Sequence, residues 1–260
     1  MVMILFGLLV FILGTIVGSF LNVLVLRYNT GLSVVHGRSF CFSCGKTLGV
    51  SELIPIVSYF LQGGRCKKCG AKISFAYVAL ELLTGLFFLL TFLHFSVSID
   101  ALWAIVAGSL LLAIAAYDIR HKIIPDGLVF GFIALSLAFL IDRIGMSWSF
   151  FTNPDFISGI GFFTFFAILW FVSRGTWMGF GDAKLVLGIG WFLGFDRGIA
   201  ALFIAFVLGA LVGTVLLLSR PRSFTMKHEI PFAPYLVLGF LIVLLSPISM
   251  HMLLQLFGTL

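Results

Sequence analysis

The sequence predicts an all-α polytopic membrane protein of about eight transmembrane helices, with a small polar insert between the first two. Three observations predict it: the composition, the spacing of the apolar runs, and the gathering of Lys and Arg in alternate connections. Hydrophobic residues make up 61% of the 260 positions and charged residues only 10%, whereas a soluble domain is about half apolar and a quarter charged. Such a chain has too little polar surface to cover itself in water. Lipid is its solvent, and runs of about 20 apolar residues span it. The 31 Phe residues suit a lipid-facing surface.

The apolar runs cover 2–26, 75–97, 101–117, 127–141, 156–172, 183–195, 198–218 and 232–257. A signal peptide carries a basic segment ahead of a shorter apolar core. No Lys or Arg precedes Arg27, so the first run reads as a retained span. The sixth run is the shortest, and a short span sits partly inside a bundle or thins the bilayer. The chain divides into a first helix (1–26), a polar subdomain (27–74) and a seven-helix core (75–260). Of the 16 Lys and Arg, all but Arg143 and Arg197 fall in connections on one side of the eight-span arrangement. Basic loops mark the cytoplasmic side, which puts the insert in the cytoplasm and both termini on the opposite, periplasmic side. The net charge of +6 is explained by this topology and implies no nucleic-acid partner. No internal repeat is visible.

All four cysteines lie in the insert, as Cys41-Phe-Ser-Cys44 and Cys66-Lys-Lys-Cys69, with 21 residues between the pairs. Each pair is followed by glycine, Gly45 or Gly70, which allows a turn tight enough for amides to approach sulfur. Four thiolates at this spacing close a structural tetrahedral zinc site and leave no position for water. Two disulfides are the competing reading, disfavoured in a reducing compartment. A redox pair would need a βαβ context that the sequence lacks.

Carboxylates within or beside spans are costly to place and therefore candidates for function. Asp118 ends the third run in Tyr117-Asp118-Ile119-Arg120, and Asp182 opens the sixth in Gly179-Phe180-Gly181-Asp182-Ala183-Lys184. The topology puts both at the cytoplasmic face although 64 residues separate them. Two adjacent carboxylates share a proton, so one activates water while the other acts as acid. Gly179 and Gly181 permit close approach of an extended peptide, and Lys184 is a supporting residue. The plainer readings are that Asp182 caps its helix and that Asp118 pairs with Lys122 one turn on. Asp126, after Pro125, is a first-turn acid at the start of the fourth helix. Glu81 lies inside the second span, where it either pairs with a basic residue or lines a polar cavity near the cysteine loop. Asn22 reads as an interhelical hydrogen-bonding residue, Glu229 as a first-turn acid, and His121 and His228 as solvated loop residues.

The order of these features is more specific than any one of them. Gly-Ser-Phe-Leu-Asn-Val (18–23) is followed by the tetracysteine loop with Glu52-Leu-Ile-Pro55, then by Ala79-Leu-Glu81-Leu-Leu-Thr84-Gly85. After these come Asp118 with Ile-Pro-Asp (124–126), Gly179-Phe-Gly181-Asp182-Ala-Lys184, and finally Glu229-Ile-Pro231-Phe-Ala-Pro234-Tyr. From end to end the chain resembles the bacterial prepilin peptidases, or type IV leader peptidases, a G-x-G-D family of membrane aspartic peptidases. The resemblance implies catalytic roles for Asp118 and Asp182. It also implies cleavage of short basic leaders from type IV prepilins and type II secretion pseudopilins at the inner membrane. Many members then N-methylate the new terminus with S-adenosylmethionine, an activity associated with the zinc-loop subdomain. The chain departs from the common pattern at Phe42, where members often have Pro, and at Arg120, where they often have a second acid.

Three rival readings remain, one of them a binding-only protein whose zinc loop recruits a partner and whose acids are helix caps. A presenilin-like intramembrane protease shares the Tyr-Asp and Gly-x-Gly-Asp motifs but not the tetracysteine insert or Pro-Phe-Ala-Pro. A transporter using interfacial carboxylates would carry more polar residues deep in its spans and repeated halves.

Overall fold

The computed structural model describes residues 2–219 and 231–258. Every regular element among them is helical: α1 (Val2–Arg27), α2 (Val57–Leu61), α3 (Phe75–Phe95), α4 (Ile99–His121), α5 (Asp126–Ile144), α6 (Pro154–Ser173), α7 (Phe180–Leu193), α8 (Phe195–Ser219), α9 (Ala233–Leu244) and α10 (Met250–Gly258). Glu229 and His228, with the basic residues Arg220, Arg222 and Lys227, lie outside the described residues. The chain forms two compact units, Met1–Ala113 and Ile114–Leu260, whose boundary falls within α4.

In the first unit α1 packs along α3. Small residues let the two backbones approach, as is usual where lipid offers no hydrophobic drive to associate. A side chain at Gly18 would lie 2.7 Å from Cα of Glu81. Asn22 supplies the expected interhelical bond, donating from Nδ2 to the Tyr77 carbonyl at 3.0 Å. Ser74 starts α3 as its N-cap, its Oγ accepting the Ala76 amide at 3.3 Å, which satisfies one of the orphan donors of the first turn.

In the second unit α7 is the central helix. It packs against α5, α6, α8 and α9, and most of its residues are buried. Trp191 Nε1 donates to the Phe156 carbonyl at 3.0 Å, and Ser158 Oγ donates to that of Gly190 at 3.3 Å. Enclosure by protein explains how a helix of 14 residues, about 21 Å long, is tolerated. It need not match the bilayer thickness as a lipid-facing helix must.

Among the described residues six helices are long and apolar enough to cross a membrane: α1, α3, α4, α5, α6 and α8. Two expectations are corrected. The run 232–257 is not one span, because α9 stops at Leu244 and α10 starts at Met250. Pro247 lies between them, and its missing N–H and its ring oppose helix continuation. Arg197 closes the end of α9 by donating to the carbonyls of Val243, Leu244 and Ser246. The third run is longer than its apolar core, since α4 continues to His121 and places Asp118 in its last turn.

Candidate active site and thiolate cluster

The two C-x-x-C segments fold as matching knuckles. The Cys41 amide donates to the Lys46 carbonyl at 2.9 Å and the Gly45 amide to that of Cys41 at 2.8 Å. Cys66 repeats the first bond with Ala71 and Gly70 the second with Cys66, both at 2.9 Å. Each turn passes through a glycine in the left-handed region, Gly45 at φ 70° and Gly70 at φ 69°, a conformation glycine adopts without the Cβ penalty. The four Sγ atoms lie within 4.8 Å of one another, with Cys41 and Cys69 at 3.9 Å. Zinc–thiolate bonds of about 2.3 Å in a tetrahedron separate sulfurs by about 3.8 Å, so the donor set and its spacing fit zinc. Amides of Cys69 and Lys68 hold the Cys66 thiol down at about 6, and those of Ser43 and Cys44 lower Cys41. Cys69, despite the Ala71 amide, is pushed up to about 11 by desolvation and its cysteine neighbours. Four crowded thiols do not ionise together without a cation, and a divalent metal supplies that charge.

Among the described residues Glu81 pairs with no basic side chain. Its Oε2 accepts the Ile56 amide at 2.7 Å, and α1 packs against it, a side chain at Gly18 falling 2.7 Å from its Cα. The carboxylate therefore ties the base of the insert to α3. Ile56 is held at φ 62°, ψ −56°, a strained γ-turn closed by the Val57 amide on the Pro55 carbonyl at 2.6 Å. A β-branched residue at positive φ is a genuine outlier.

Asp118 and Asp182 are 4% and 5% exposed. Asp118 stands in the last turn of α4, and Asp182 is the third residue of α7, two residues after its N-terminal Phe180. The turn after α4 brings the two ends together. Gly181 packs on Ile124, where an added Cβ would lie 2.8 Å from the Ile124 Cβ. Two residues further along α7, Lys184 Nζ reaches Asp126 Oδ1 at 2.7 Å. At this junction the charge of Asp118 bears directly on Asp182. Each carboxylate lies near the positive end of a helix: Asp182 feels the Gly179 amide at the start of α7, and Asp118 that of Ala233 at the start of α9. Helix N-termini favour negative charge. Among the described residues, one oxygen of each, Asp118 Oδ2 and Asp182 Oδ1, is buried without a hydrogen-bonding partner.

The plainer readings of the two acids can be set beside these contacts. The N-cap of α7 is Gly179, not Asp182. Lys122 bonds Asp118 only through its amide and the Asp118 carbonyl, at 2.7 Å, and the described ion pairs do not join their side chains. Asp126 has the expected first-turn place in α5, with Lys184 as its partner. His121 stacks on Tyr117 with ring centroids 4.3 Å apart. The Ala233 amide is the contributor that sequence reasoning missed. Its signal was Pro234, which marks a helix start at the residue beside it.

Two family models match the chain: the bacterial peptidase A24 N-terminal domain over residues 12–95 and the type IV leader peptidase family over residues 105–214. A prepilin leader peptidase/N-methyltransferase of Bacillus subtilis strain 168 is 35% identical over 232 residues, covering 89% of this chain and 90% of the relative. The chain belongs to the type IV leader peptidase family. Proteins of the same name from Pseudomonas putida and Pseudomonas aeruginosa are each 30% identical, covering 88% and 92% of this chain and 86% and 90% of theirs. No solved structure matches the chain. Membership makes it a membrane peptidase with the tetracysteine insert inside the N-terminal family domain and both aspartates inside the second. For S-adenosylmethionine the described residues offer no strand–glycine loop–helix cradle, and no residue is assigned to it.

Proposed function

We propose that the chain cleaves the basic leader from type IV prepilins or pseudopilins, with Asp118 and Asp182 as an aspartic dyad. The observation that carries this is the pair of buried carboxylates at one helix junction, each with one oxygen that no donor among the described residues satisfies. A structural cap would have spent those oxygens on the backbone. Here they are left for a water and a scissile carbonyl. One carboxylate takes a proton from water as its oxygen bonds to the carbonyl carbon, while the other, protonated, donates to the carbonyl oxygen; as the C–N bond then breaks, the first gives its proton to the leaving amine and the second recovers its own from the diol as the new carboxyl forms. The two share one proton because like charges this close do not both persist.

In this reading the protein is a multi-pass resident of the bacterial inner membrane. The insert 27–74 and the dyad face the cytoplasm, and both termini face outward. The four cysteines hold a structural zinc, and Gly179, Gly181, Lys184 and Glu81 support the two sites. The relatives' names also carry N-methyltransferase activity, and we extend methylation of the newly exposed N-terminus to this chain on that ground, with S-adenosylmethionine as donor.

The test is cleavage of a prepilin substrate in membranes by the wild type, Asp118→Asn and Asp182→Asn. Each substitution should lower the rate roughly 10²–10⁴-fold while the protein accumulates and inserts normally. Normal cleavage by both variants would leave the acids structural and put the catalytic groups elsewhere in the chain.

A further inference from the structure

The insert lies against the bilayer boundary. Helix α3 has 21 residues, about 31 Å at 1.5 Å each, which is the thickness of the hydrocarbon it crosses. Its first residue, Phe75, therefore sits at the boundary, and Cα of Glu81 lies about 9 Å further in. Side chains on a helix lean toward its N-terminus, so the Glu81 carboxylate reaches back toward the surface. There it meets the amide of Ile56, the N-cap of α2. Helix α2 is thus level with the first turns of a spanning helix rather than above them. A second contact fixes the same level: the Tyr59 ring packs edge-on against Phe75 at 6.0 Å and against Phe60 at 5.6 Å.

At this depth α2 presents Val57, Phe60 and Leu61 at 49%, 66% and 75% exposure. Arg65, Lys67, Lys68 and Lys72 follow directly and are exposed. The one acid between residues 28 and 74, Glu52, is ion-paired with Lys46 and feels Lys67 only more weakly, so these cations form no close ion pair with a carboxylate of the insert. Apolar side chains that fill the headgroup–acyl boundary, flanked by free cations for phosphates, are the two signals that bind a segment to an anionic membrane surface.

We infer that α2 is an interfacial anchor: Phe60 and Leu61 enter the boundary of an anionic bilayer, Arg65, Lys67 and Lys68 engage its headgroups, and the Glu81–Ile56 bond holds the segment at that depth. The anchor is independent of the peptidase assignment, since it rests on the insert and α3 alone.

The experiment places photoreactive benzoylphenylalanine at position 60, 61 or 35 of the full-length chain. The protein is held in nanodiscs of phosphatidylcholine and phosphatidylglycerol carrying radiolabelled acyl chains. Val35, 79% exposed on the same insert, is the control. Lipid adducts at 60 and 61 should exceed that at 35 several-fold. They should fall several-fold with Lys67→Gln/Lys68→Gln, with Glu81→Leu, or when phosphatidylcholine replaces the anionic lipid. Equal labelling at all three positions, or an adduct at 60 with a second protein chain in place of lipid, overturns the anchor. Strong labelling at 60 that ignores lipid charge and both sets of substitutions overturns the roles of the cations and of Glu81.

Discussion

Lys184 Nζ lies 2.7 Å from Asp126 Oδ1, and its cation also sits over the rings of Phe130 and Phe180, 5.4 and 5.3 Å from their centroids. The ion pair joins α7, two residues after Asp182, to the first residue of α5, just after the turn that follows Asp118. Its carboxylate is well exposed, so its own worth is about 0.5 kcal/mol. The larger consequence is positional. Lys184→Ala should lower kcat about tenfold with a smaller change in KM, because misplacing a reacting group by an ångström costs up to about 10²-fold. The exchange Lys184→Asp with Asp126→Lys should recover part of the loss. Steady-state kinetics on a prepilin substrate decide it, and an exchange variant no better than either single variant counts against the clamp.

Gly181→Ala should be more severe. The added Cβ would lie 2.8 Å from Cβ of Ile124, and neither atom is the end of a flexible chain, so α7 must move. Overpacking of this kind costs about 1–3 kcal/mol, and the displacement falls on Asp182 itself. Activity should drop about 10²-fold, and Ile124→Gly in the same chain should restore some of it. Gly131→Ala, where no atom lies within 4 Å of the new methyl, is the control and should leave activity unchanged.

Much of this site was legible in the sequence, for identifiable reasons. Asp118 and Asp182 stood out because a carboxylate at the edge of an apolar run is costly, and alternation of the spans put both on one side. The cysteine cluster was legible because its four ligands and two glycines are local in sequence. What escaped was set by long-range packing. The Ala233 amide reaches Asp118 from a helix more than a hundred residues away, and the Ile124–Gly181 contact has no local signature. The break near Pro247 was hidden by the apolar residues on both sides of it. The brevity of α7 is tolerated only because four helices surround it, a fact about neighbours that its own residues do not carry.

Chelation should act on the insert. Zinc held by four thiolates is worth on the order of 10 kcal/mol to a small domain, and residues 38–72 have few other buried apolar side chains. The purified protein should contain one zinc per chain by elemental analysis, and Cys44→Ser or Cys66→Ser should lose it. Metal removal should make the insert sensitive to limited proteolysis while α1 and α3 stay intact. Full protection of the insert after metal loss would argue that the bonds of the knuckles suffice.

Acid should loosen the same region through Glu52. The Gly49 amide, at 2.9 Å, and the Lys46 ammonium, at 2.8 Å, hold this carboxyl below its ordinary 4.5. A group whose folded pKa is depressed contributes stability that is present above its unfolded value and lost as pH falls through the folded one. Protection of the insert from protease should therefore hold near neutrality and decline below about pH 4.5. Glu52→Gln should be weaker at neutral pH and should lack that part of the decline. A variant with the wild-type profile would assign the acid sensitivity to the thiolates instead.

The strain at Ile56 gives a prediction of opposite sign for two neighbouring substitutions. Ile56 stands at φ 62°, a conformation that costs a β-branched residue about 1–3 kcal/mol and that glycine adopts freely. Its amide is held by Glu81 at 2.7 Å, a charge-assisted bond whose loss leaves a donor near a spanning helix unpaired, at about 1–3 kcal/mol. Ile56→Gly keeps the bond and relieves the strain, so the insert should become more resistant to thermal unfolding by about 1 kcal/mol, less whatever the lost side chain contributed. Glu81→Ala loses the bond and frees the insert from α3, so the insert should detach at lower temperature even though the turn can then relax. Because the turn is strained only while the bond holds it, the two effects should not add. With Glu81 replaced, Ile56 is free to relax, and Ile56→Gly should then have little further effect. Thermal melts followed by proteolysis of the insert in the two single variants and the double variant measure that coupling. Simple additivity would mean that the γ-turn is imposed by the rest of the loop and not by Glu81.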